Sequence, residues 1–130
     1  MDAHTHSNIM TALQSEAFAC ARYKLMAAEA RAEGDTAAAE LLEGISRIGT
    51  NEHFAELARR VGLIGGDADN LVTVINEESH EREETYRAFA EQARAAGEYE
   101  VANLFEQIRM DKRDDVRALE RELERLEAPA

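Results

Sequence analysis

The chain of 130 residues has no tryptophan, one proline (Pro129) and one cysteine (Cys20). A lone cysteine excludes a disulfide framework and a thiolate metal knot. Long apolar runs are also missing. None approaches the ~18 residues of a membrane span, and no signal-peptide pattern precedes the domain. Basic side chains are scarce, 15 against 27 acidic ones, for a formal net charge of −12. A chain this acidic repels phosphate backbones, which argues against a nucleic-acid partner. What remains is rich in Ala, Glu, Arg and Leu, and its 45% hydrophobic fraction argues against disorder. These features predict one cytoplasmic all-α domain.

Turn signals divide the chain into four helices. Met1–His6, with His4 and His6, reads as a disordered tail, and the domain as residues 7–127. Ser7 is the expected cap of a first helix ending at Gly34, with Ile9, Leu13, Glu16, Cys20, Tyr23, Ala27 and Ala30 on one face. A second helix runs from Asp35–Thr36 to Val61, with Leu41, Leu42, Ile45, Ile48, Gly49 and Glu52 inward. Gly49 costs about 1 kcal/mol of helix stability relative to Ala, so it is read as relieving crowding. Gly62–Gly66 breaks the chain, and Asp67–Asp69 caps a third helix ending at Gly97. The fourth spans Glu98 to Glu127, and Lys112 lies in line with Phe105 and Leu119 at seven-residue steps.

Tyr23, Gly34 and Ile45 recur as Tyr86, Gly97 and Ile108 at a constant offset of 63, and Ala39, Leu41 and Glu43 recur as Ala102, Leu104 and Glu106. Two repeated hairpins, 7–61 and 70–127, therefore predict a four-helix bundle. One layer of that bundle gathers Glu16, Glu52, Glu78, Glu81 and Asp115 with Lys112 as its inward cation, and His53 beside Glu52 can turn toward it. Two like charges ~4 Å apart repel by about 4 kcal/mol at an effective dielectric of ~20. Such a cluster binds cations, holds protons or splays outward.

The residues Glu16-x6-Tyr23, Glu78-x2-Glu81-x4-Tyr86, the Ala-Arg-x-x-Gly after each tyrosine and Leu-[Leu/Phe]-Glu-x-Ile in each second helix resemble the rubrerythrin family over nearly the whole chain. That resemblance implies a ferritin-like bundle with a di-iron carboxylate centre that reduces peroxide. By position it implies Glu16, Glu78 and Glu81 as iron ligands, and Tyr23 and Tyr86 as tyrosines bonded near them. The family's Glu-x-x-His in each second helix reads here Gly49-x-x-Glu52 and Lys112-x-x-Asp115.

Two readings are open. In one, an altered centre holds iron or another divalent metal on Glu16, Glu52, Glu78, Glu81 and Asp115, with His53 as an added donor and Tyr23, Tyr86 and Lys112 around it. Oxygen ligation favours the harder ions. With no four-cysteine electron-transfer segment, any electrons come from another protein. In the other, Lys112 and protons neutralise a metal-free core, and the bundle serves as a structural or interaction module. The eight-residue link from Gly62 to Asp69 reaches at most about 29 Å, short of a helix of about 40 Å. The resemblance then implies a homodimer that exchanges hairpins.

Overall fold

In the computed structural model, which describes residues 1–129, four long helices account for nearly all of the chain and no strand forms among the described residues. The first, α1, spans Ala3–Ala32. It starts ahead of Ser7 because Asp2 already caps it, accepting from the Thr5 amide at 2.9 Å and from the Thr5 hydroxyl. Segment 1–6, expected as a disordered tail, thus supplies the first turn. The second helix, α2, covers 36–60, and its N-cap Asp35 accepts from the Ala38 amide at 3.0 Å. The third, α3, covers 67–95, with Gly66 as its N-cap. The fourth, α4, spans Tyr99–Glu127.

The chain divides into two packing units, Met1–Ile64 and Gly65–Ala130. The first consists of α1 packed on α2 and is called hairpin 1; the second, α3 packed on α4, is hairpin 2. Each reverses at a glycine of positive φ, Gly34 at +85° and Gly97 at +78°. The amide of the glycine and that of the next residue return to carbonyls of the last helical turn: Gly34 to Arg31 and Asp35 to Ala30, Gly97 to Arg94 and Glu98 to Ala93. A Cβ would strain that conformation, which is why glycine ends both helices.

Small residues set the packing. In hairpin 1, Leu13, Cys20 and Ala27 lie seven apart on α1 and are buried against Ala39, Ser46, Gly49 and Ala58 of α2. In hairpin 2 the fully buried side chains near the turn are Ala90 and Ala102. Beyond them Tyr86, Phe89 and Phe105 form an aromatic cluster with centroids 5.4–6.2 Å apart. Large apolar residues stay uncovered on both hairpins. Leu41, Ile45 and Ile48 of α2 and Val101 and Leu104 of α4 are exposed, Leu41 to 65% and Leu104 to 58%. No helix among the described residues is long and apolar enough to cross a membrane.

Candidate functional site

Both α2 and α3 leave α geometry at mid-length. Gly49–Phe54 and Glu77–Arg82 are π-helical. A π turn pairs i with i+5 and so accommodates an extra residue, rotating the residues beyond it relative to an α-helical register. A threonine bonds back to a main-chain carbonyl at each place: Thr50 Oγ1 donates to the Ser46 carbonyl at 3.0 Å, and Thr85 Oγ1 to the Glu81 carbonyl at 2.7 Å. Such back-bonding competes with the regular helix bond.

In hairpin 1 the π segment brings His53 toward α1. His53 Nδ1 lies 3.7 Å from Glu16 Oε2, and the two line a cleft of about 280 Å³ with Tyr23, Ile45, Ile48 and Gly49. Glu16 is half-buried and His53 is exposed. A Cβ on Gly49 would stand 2.6 Å from Cys20 Sγ and 3.4 Å from Glu16 Oε2, so only glycine lets the helices approach this closely. Just beside it, buried Ser46 donates its hydroxyl to the Cys20 carbonyl at 2.9 Å.

In hairpin 2 the corresponding cleft, about 340 Å³, is lined by Val74, Glu78, Asp115, Ala118 and Leu119. Glu78 is 7% exposed and neutralised by two cations. Arg82, one turn on, bonds Oε1. Lys112 Nζ sits 3.0 Å from Oε2, an ion-pair distance out of line for a directed hydrogen bond. Burial pushes the Glu78 carboxyl up, but Lys112 and then Arg82 outweigh it and hold its pKa below the ordinary carboxylate value. Lys112 also lies 6.0 Å from the Tyr86 ring centroid. Further along α3, Glu83 pairs with Arg113 and with Arg109, the latter at 3.4 Å. Its pKa is lowered, chiefly by Arg113.

Of the acids expected in one layer, each hairpin thus brings a pair of candidate residues into one cleft: Glu16 with His53, and Glu78 with Asp115. Glu52 and Glu81 are exposed and line neither cleft. Among the described residues no three His, Cys, Asp or Glu side chains converge within this chain to hold an ion. Periodicity alone undervalues His53 because it continues a 3.6-residue register through Gly49. The hint in the chain is a spacing mismatch, Glu16 lying seven residues before Tyr23 and Glu78 eight before Tyr86. No protein-family model and no curated protein matches this chain.

Proposed function

We propose that this chain is a rubrerythrin-like protein of the ferritin fold whose carboxylate centre is altered to hold a single divalent metal from hairpin 1. The carrying observation is the approach of Glu16 and His53 at mid-length of hairpin 1. Their 3.7 Å separation suits two donors each ~2.1 Å from one ion, and a carboxylate with an imidazole suits ferrous iron, manganese or zinc. The hairpin 2 residues do not fit a second ion of the same kind, because Lys112 already occupies the open side of Glu78. Closure into a four-helix bundle is supported by the exposed stripe Leu41, Ile45 and Ile48, which would otherwise stay in water. In a ferritin-like bundle the hairpins pair within one chain or are exchanged between two copies.

The two π segments support descent from a repeat. If each holds one extra residue, Glu78 takes the place of Glu16 and Asp115 that of His53, and the seven-versus-eight mismatch disappears. Redox-active iron would supply one-electron chemistry with peroxide, fed by a separate donor protein. The chain's own part is to hold Glu16 deprotonated beside His53 and to shield that cleft with Tyr23, Ile45 and Ile48.

A second reading, a metal-free structural or interaction module, is favoured by the ion pair of Lys112 with Glu78. Metal analysis of protein purified under reducing, metal-replete conditions separates the two. The metal reading expects stoichiometric metal that is lost in both Glu16→Gln and His53→Ala and kept in Glu81→Gln. Wild-type protein without metal selects the Lys112 reading.

A further inference from the structure

Hairpin 1 has a second apolar face. On α1, Phe18 and Leu25 are exposed to 70% and 74%, which makes them, with Met1, the most exposed large apolar side chains of the molecule. They lie seven residues apart and so share one face. That face points away from the buried line Leu13, Cys20 and Ala27. Ala17, Ala21 and Leu25 line a groove of about 490 Å³ with Thr50 and Phe54 of the α2 π segment. Neither Ile45 nor Ile48 borders this groove, so it is distinct from the cleft of Glu16 and His53.

Hairpin 2 offers no such face. The residues 63 positions after Phe18, Ala21 and Leu25 are Glu81, Glu84 and Ala88. An apolar face kept on one hairpin and replaced by charge on the other is not a general property of these helices. Exposed apolar surface of this kind marks an interaction site.

We infer that the Phe18–Leu25 face of hairpin 1 docks the same face of a second copy of this chain, α1 against α1 in antiparallel fashion about a two-fold axis. Charge and area both favour a second copy. Residues 1–64 hold nine acidic and six basic side chains, and residues 65–130 hold eighteen and nine. Self-association through hairpin 1 brings together the nearly balanced halves and keeps the strongly acidic ones apart. As for area, α1 has 30 residues, about 45 Å of helix, along which alanines at 17, 21 and 28 permit close approach. A strip of that length and about 10 Å width, widened by Phe54 and the groove, comes near the ~800 Å² per partner of a standard interface. A two-fold axis near position 21 sets Phe18 of each copy across from the Leu25 face of the other. This docking is independent of the metal reading and uses a different face.

Light scattering on the full chain, with metal content measured in parallel, tests it. Wild-type protein at micromolar concentration is expected at twice the 14.5 kDa chain mass. Phe18→Glu/Leu25→Glu, and separately Ala21→Arg, are expected at chain mass with unchanged far-UV circular dichroism and unchanged metal content. The inference is overturned if wild type is monomeric, which leaves the face to a foreign partner. It is equally overturned if both variants stay dimeric, as a hairpin-exchanged dimer would. Metal lost with the dimer intact speaks only against the metal reading.

Discussion

The two hairpins close by opposite means at matching positions. Where hairpin 1 places Cys20, Ser46 and Gly49, hairpin 2 places Glu83, Arg109 and Lys112, each 63 residues later. The first set is small, and the helices touch: Ser46 bonds the backbone of the facing helix, and Gly49 lies against Cys20. The second set is long and charged, and ion pairs of Lys112 with Glu78 and of Arg109 and Arg113 with Glu83 span the gap. The same topology therefore tolerates a packed seam or a charged one. They differ in what each leaves available. A packed seam leaves the Glu16 carboxylate with only His53 nearby, whereas the charged seam consumes Glu78 with cations of its own.

That contrast can be broken most forcefully at Lys112. Lys112→Met leaves a 7%-exposed carboxylate with Arg82 alone. We expect a loss of about 2 kcal/mol in urea denaturation, less than the roughly 3–5 kcal/mol of a fully buried broken pair because Arg82 remains. No loss would mean that Glu78 turns to solvent.

Gly49→Ala is the counterpart in hairpin 1. Overpacking costs typically about 1–3 kcal/mol, while the helix-propensity gain returns about 1 kcal/mol. A net loss near 1 kcal/mol is expected, and Cys20→Ala should relieve it in a double-mutant cycle. Additive effects would show that the 2.6 Å approach is not felt.

Ser46→Ala removes one buried hydroxyl bond, and about 1 kcal/mol is expected from the same denaturation assay.

Acid should sharpen the contrast by position. The folded-state pKa values of Glu78 and Glu83 are lowered, so their stabilisation is complete above the ordinary carboxylate value of 4.5 and is lost as pH falls through the depressed values. Hydrogen exchange, corrected for intrinsic rates, should show α3 and α4 loosening below pH 4.5 before the α1–α2 seam. Uniform loosening would remove the distinction.

The helices themselves can be read from the chain because glycine and aspartate mark their ends. Gly34 and Gly97 stop α1 and α3, and Asp35 caps α2, as the turn signals indicate. Lys112 facing a carboxylate can be read too, since it shares a face with Phe105 and Leu119. The start of α1 lies ahead of the expected Ser7 because Asp2 and Ser7 are both competent caps, and local sequence does not rank them. The site is only half legible. Periodicity assumes 3.6 residues per turn, and the two π segments violate that assumption beside Glu16 and Glu78. A regular register therefore puts Glu52 where His53 stands, and credits Glu81 with a burial that only Glu78 has.

The π segments also bear on how such a centre changes over generations. A residue added within a helix and absorbed in one wide turn alters which neighbour faces the opposite helix without altering any side chain. In α2 that shift puts an imidazole, not a carboxylate, beside Glu16; in α3 it keeps Glu78 inward. A single-codon deletion inside either segment would restore regular winding and exchange the donor at once. Ligand identity here can thus drift by insertion and deletion, a route closed to helices wound regularly from end to end.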